Sequence, residues 1–182
     1  MKKLATGVVL ALVVGGSAMA ENLSFGFGTN FFKPNDGRFQ TSQGTSFLLS
    51  WTAEEWTYSV LNENTNLSAV TAAGAAVAGT LGVSGIRVSR SVVKLVTIGL
   101  GIGAASVALP TGGTVNKPAI DVVGTVNILS SKGDKVSGSF DAIAMARFIN
   151  LQGAGSALSG AAVDAVSGLN GTNLGLAVTV GF

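Results

Sequence analysis

The chain has 182 residues, 47% of them apolar and only 11% charged, against about 25% charged in an ordinary soluble domain. It holds neither His nor Cys, which excludes Ser-His-Asp and Cys-His catalysis, ordinary zinc sites and disulfide stapling. Lys2 and Lys3 account for two of the 11 basic residues, so beyond them 9 basic residues face 9 acidic ones. No net charge is left to draw nucleic acid or an anionic partner.

Residues 1–20 read as a signal peptide. Lys2 and Lys3 supply the positive start, Leu4 to Gly16 the apolar run, and Ala18-Met19-Ala20 the small-residue cleavage site before Glu21. The run is too short for a comfortable membrane-spanning helix. No Cys follows the cleavage site, so a bacterial export leader is expected and a lipid anchor is not. Removing those 20 residues leaves 162, which suits one domain over 21–182.

Leu23 to Phe32 places Leu23, Phe25, Phe27, Thr29 and Phe31 on one parity and Ser24, Gly26, Gly28 and Asn30 on the other, the pattern of a strand with one apolar face. Lys33 to Gln43, with Pro34, Asn35, Asp36 and Gly37, has turn chemistry. Phe47, Leu49 and Trp51 then alternate, as do Trp56, Tyr58 and Val60, across the polar link Ala53-Glu54-Glu55. That is a hairpin with both Trp residues beside its turn, where a membrane interface favours aromatics. Leu61 to Gly79 turns polar and then Ala/Gly-rich, and reads as a long loop.

Gly82 to Val93 and Lys94 to Ala104 read as two strands joined near Ser89 to Ser91. The uncharged run from Leu95 to Asn116 is long enough for a membrane helix. Gly99, Gly101, Gly103 and Pro110 oppose a helix, and Val96, Ile98, Leu100 and Ile102 keep period 2. The same glycines are spaced GxGxG, which does not fit a dinucleotide-binding loop. Pro110 to Pro118 reads as a loop. Ala119 to Ser131 puts Ile120, Val122, Gly124, Val126 and Ile128 on one face. After the turn Lys132-Gly133-Asp134, Val136 to Asn150 returns with Phe140, Ala142, Ala144, Ala146 and Phe148 on one parity and Ser137, Ser139, Asp141, Met145 and Arg147 on the other. Leu151 to Gly171 is a second small-residue tract.

The chain ends TNLGLAVTVGF, with Leu174, Leu176, Val178, Val180 and Phe182 on one parity and small or polar residues on the other. This ending resembles the C-terminal signal strand of bacterial outer-membrane β-barrel proteins, which carries alternating apolar residues and a terminal Phe. The resemblance implies that the barrel assembly machinery recognises this strand and that the outer parity meets outer-membrane lipid. About eight alternating strands in 162 residues suit an antiparallel transmembrane barrel of eight strands with Ala/Gly-rich loops, and the leader and strand rhythm resemble the small members of that family. The aromatic content departs from it: 7%, with a single Tyr, is too little for full interfacial girdles.

In such a barrel the polar parity points inward. Asp121 and Asp141 are expected on one interior surface with Arg147 further along, while Glu63, Arg87, Arg90 and Lys94 are expected near strand ends or joins. Asp121, Asp141, Arg147, Glu63 and Arg87 are the candidates for an interior polar network, since charges denied water must pair. A structural network is the plainer expectation and a path for a small solute the sharper one. Two carboxylates without a nucleophile or base carry no catalytic constellation, so no enzyme, metal or cofactor is expected. The expected function is a structural or surface-interaction barrel of the outer membrane, with slight passage of small solutes as an open variant. The alternative is a secreted or periplasmic β-sandwich whose apolar parity forms a soluble core.

Overall fold

Period-2 alternation is realised as eight strands: β1 (Leu23–Pro34), β2 (Ser42–Ala53), β3 (Trp56–Val70), β4 (Ala76–Val93), β5 (Val96–Ala108), β6 (Thr114–Lys132), β7 (Ser137–Ile149) and β8 (Gly171–Gly181). The computed structural model describes residues 23–37, 39–70, 76–108, 114–133, 136–150 and 169–182. The expected signal peptide and the second small-residue tract at 151–168 lie outside them. Each strand pairs antiparallel with its neighbours in sequence, and β1 pairs with β8, so the sheet closes on itself. Closure rules out two packed sheets, and the β-sandwich alternative falls with it.

The register measures the slant of the barrel. A walk across directly paired residues runs Ser24, Ser50, Ser59, Arg87, Gly101, Asp121, Arg147, Gly171 and returns to β1 at Pro34, ten residues beyond its start. Eight strands with that stagger tilt by about 40° and enclose a space that side chains fill. The links Glu54–Glu55 and Lys94–Leu95 and the end of β6 lie with Leu23 and Phe182 at one rim, here called lower. The ends of β1, β3, β5 and β7 lie at the upper rim.

The outer wall is apolar on every strand through its lower part: Phe27, Phe47, Val60, Ile86, Leu100, Val122, Ala144 and Leu176 all point outward. Val126, Ile128, Leu176 and Val178 are each exposed by 43–55%. One group of aromatics gathers low on one side, where Trp51 stacks on Tyr58 at 5.4 Å and Phe25 meets Phe182 edge-on at 6.2 Å. Near them Glu55 accepts two hydrogen bonds from Arg90, whose guanidinium lies 5.6 Å from the Trp56 ring centre. Both partners are more than half exposed. Glu55→Gln should therefore cost less than about 1 kcal/mol in urea unfolding, and a larger loss would mean that the pair is shielded from water.

Towards the upper rim the polarity inverts. On β3 the outward residues become Asn62, Asn64 and Asn66, while Leu61 and Leu67 point inward and are buried. Phe32, Phe39, Leu67, Leu81, Val83, Ala105, Val107, Val115, Ala119, Ile149 and Leu169 form one buried apolar cluster that fills the upper interior. Below it the inward charged and hydroxyl groups sit behind an apolar outer wall; around it the outward faces of β2 to β5 are polar, whereas Phe31, Ile120, Phe148 and Leu174 keep the wall apolar on β1, β6, β7 and β8.

Several local expectations are corrected. Leu61 to Gly79 is not one long loop, because β3 continues to Val70 and β4 begins at Ala76. The β4–β5 link is at Lys94–Leu95 rather than near Ser89 to Ser91, which lie within β4. Thr114 to Pro118 belongs to β6, not to a loop. Pro118 is tolerated because it pairs with Ala104 on one side, whereas the β7 ladder starts only at Ala119.

The glycines of β5 take their place in this wall. Gly99, Gly101 and Gly103 all point inward. Gly85 and Gly103 face each other directly, and a Cβ on Gly85 would lie 2.8 Å from the Gly103 Cα and against the Ile102 carbonyl. Backbone atoms cannot swing aside as a side chain can. Gly85→Ala should lower the stability of the folded barrel by about 1–3 kcal/mol, read from its urea midpoint. An unchanged midpoint would show that β4 and β5 can separate there freely.

Candidate functional site

The slanted walk that measures the stagger also assembles the charged groups. Arg87, Gly101, Asp121 and Arg147 are consecutive across β4, β5, β6 and β7, all on the inner parity. Gly101 has no side chain, so the space between Arg87 and Asp121 stays open. Glu63 reaches the same level from β3, and Asn173 from β8.

Arg147 is the centre. Its Nε and Nη2 donate to the two oxygens of Asp121, each at 2.8 Å, and its Nη1 donates to Glu63 Oε2 at 2.6 Å. The Asp121 contact is the two-pronged pairing that a planar guanidinium makes best with a carboxylate. Asn173 Nδ2 also donates to Glu63 Oε2 at 3.3 Å. Arg147 is 1% exposed, with Glu63 and Asp121 at 4% each. Arg87 is the looser fourth charge: its Nη2 lies 4.0 Å from Asp121 Oδ2 and 3.7 Å from the Met145 sulfur. Its Nε, with Asn30 Oδ1 and Asn173 Oδ1, is a buried atom without a hydrogen-bond partner among the described residues.

Two cations and two carboxylates thus share one layer of the interior, and their charges cancel. Without Arg147, two carboxylates would stay buried against a single guanidinium among the described residues, that of Arg87 at 4.0 Å from Asp121, which leaves a buried charge uncompensated. Both carboxylates are held by guanidinium groups, and among the described residues no three His, Cys, Asp or Glu side chains gather as metal ligands. The layer lies directly under the apolar cluster, next to which Asn30 Nδ2 donates to Thr65 Oγ1 at 3.2 Å.

No family model matches the chain, and no curated protein matches it.

Of the residues expected in the interior, Asp121, Arg147, Glu63 and Arg87 come together in this layer. Glu63 and Arg87 are corrected in one respect: neither is near a strand end, since each sits well inside its strand. Arg90 and Lys94 do lie at the lower rim and stay outside the layer. Asp141 is separate. It is six residues nearer the lower rim than Arg147, and it accepts from Ser139 Oγ at 2.6 Å, Asn127 Nδ2 at 2.8 Å and Thr179 Oγ1 at 3.5 Å. Three neutral donors satisfy that carboxylate, so it is a local fastening. Below it the lower mouth opens into a cavity of about 470 Å³ lined by Ser24, Thr52, Ser131, Ser137 and Thr179 among others.

Asn173 and Met145 are the contributors that alternation alone does not single out. Asn173 was legible as an inward residue of the last strand, but its contact with Glu63 spans 110 residues and depends on closure. Leu174, Leu176, Val178 and Val180, with Phe182 beyond the strand end, form an outward row on β8.

Proposed function

We propose that this chain is an integral barrel of the bacterial outer membrane with a structural or surface-interaction role and no catalytic one. The observation that carries the reading is the sign of the barrel's polarity. A closed barrel that is apolar outside along the lower part of all eight strands, and holds the salt-bridged layer of Arg147, Asp121, Glu63 and Arg87 inside, has the polarity that hydrocarbon around it would select. In water that outer wall would be an apolar surface far beyond what a monomer leaves exposed.

The partners in this reading are outer-membrane lipid on the outward wall and the barrel assembly machinery at β8, through Leu174, Leu176, Val178, Val180 and Phe182. The filled interior favours a structural or surface role over solute passage. A solute entering from the lower mouth would meet the Arg147 layer and then the apolar cluster.

The test is fractionation of cells that express the chain, followed by gel migration of the detergent-extracted protein with and without boiling. Recovery in the outer membrane with a boiling-dependent shift is expected. A soluble protein without the shift would overturn the reading.

A further inference from the structure

Above the apolar belt, the outer wall of β2 to β6 is polar but carries no charge among its described residues. Outward positions there are Gln43 and Thr45 on β2, Asn62, Asn64, Asn66 and Ser68 on β3, Thr80, Gly82 and Ser84 on β4, Ser106 on β5, and Thr114 and Asn116 on β6, with small residues between. One paired row runs Thr45, Asn64, Gly82, Ser106, Asn116 straight across five strands. Beside it Asn62 Nδ2 donates to Ser84 Oγ at 2.8 Å.

Two things about this collar are not explained by folding. Asn is a poor strand residue, yet three stand at alternate outward positions of β3, where they are exposed and core packing gives no reason for them. Surfaces that face only water are also rich in charge, at about 25–35% of their residues, and this face has none among its described residues. Amides and hydroxyls that both donate and accept suit a neutral, hydroxyl-rich partner. An anionic headgroup would call for Lys or Arg. The collar also faces sideways and starts where the apolar belt ends, so its partner lies beside the barrel at the hydrocarbon edge.

We infer that this collar, built on Thr45, Asn62, Asn64, Asn66, Ser84 and Asn116, binds the neutral sugar head of a glycolipid lying against the barrel. The inference rests on the membrane reading above and adds the class of lipid that the wall selects. The acyl chains of that lipid run down the apolar belt while its sugar hydroxyls exchange hydrogen bonds with the Asn side chains.

The experiment places the folded full chain in vesicles of phosphatidylcholine containing equal small amounts of digalactosyl diacylglycerol and phosphatidylglycerol with the same acyl chains. Flotation of the protein with pure phosphatidylcholine vesicles tests the membrane reading by itself. Native mass spectrometry after detergent release then counts the lipids retained. The expected result is several-fold enrichment of the galactolipid over phosphatidylglycerol. That enrichment should vanish in Asn62→Ala/Asn64→Ala/Asn66→Ala and fall in Asn64→Asp, both still shifting on boiling. Flotation without enrichment, or enrichment unchanged in both variants, overturns the inference and leaves the membrane reading standing. Failure to float overturns both. Should the triple variant not fold, Asn64→Asp decides alone.

Discussion

Replacing Arg147 with Met is expected to cost about 3–5 kcal/mol of barrel stability, because Glu63 and Asp121 would stay buried with their main counter-charge gone. The side chain contributes three hydrogen bonds to carboxylates, and the remaining cation, Arg87, lies 4.0 Å from the nearer one. Arg147→Lys should fall between Met and the native residue, since an ammonium keeps the charge but cannot hold Asp121 with two parallel bonds. Urea unfolding in detergent, followed through Trp51 and Trp56 fluorescence, measures both. A loss below about 1 kcal/mol would mean that water reaches the layer and that the ion pairs behave like surface ones. A fourfold replacement by apolar residues of similar volume, at Arg147, Arg87, Glu63 and Asp121, tests the converse. It should recover much of the loss in stability, because the desolvation of all four charges disappears together and no buried charge is left without a partner.

Val178→Arg is expected to block assembly at a cost of about 2–4 kcal/mol, the penalty for a guanidinium on the lipid side of a barrel near mid-depth. Val178 points outward from β8, between Phe27 of β1 and Phe140 of β7. Asn64→Arg is the matched comparison. It is also outward on the wall, but it stands above the belt, where the same substitution should cost no more than about 1 kcal/mol. The fraction of protein that shifts on boiling after membrane extraction reads both variants. Equal folding of the two would mean that the outward belt does not face hydrocarbon, and the membrane reading would fail on that result alone.

Alternation alone reveals the eight strands wherever the outward face is apolar, as on β1, β5 and β8. It misleads on the upper halves of β3 and β4, and the reason is the inversion of polarity along the strands. On β3, Tyr58 and Val60 point outward and Ser59 inward, but a few residues later Asn62 and Asn64 point outward and Leu61 and Leu67 inward. A period-2 pattern that changes phase within one strand loses its apolar face, and Ala and Gly nearby make the stretch resemble a loop. For that reason the sequence pattern puts Glu63 and Arg87 near strand ends. The inward parity of Asp121, Asp141 and Arg147 is readable from β6 and β7 separately. Which of them meet is a matter of register: Arg147 faces Asp121, whereas Asp141 faces Asn127. The bulge between Asn127 and Leu129 alters that register near the lower rim, and no residue there announces it.

The seam between β1 and β8 joins the two ends of the described barrel through eleven residue pairs, from Ser24 with Gly181 to Pro34 with Gly171. Every other ladder links strands adjacent in sequence and can form early, at small loop-closure cost. This one must wait until the last strand is present. Until then β1 and β7 each keep an open edge that could pair with another chain. The order of events is thereby set: a meander grows strand by strand, and its final step is a ring closure of long sequence separation. The slow kinetic phase of folding should therefore belong to the seam, and weakening β8 should retard folding more than it speeds unfolding.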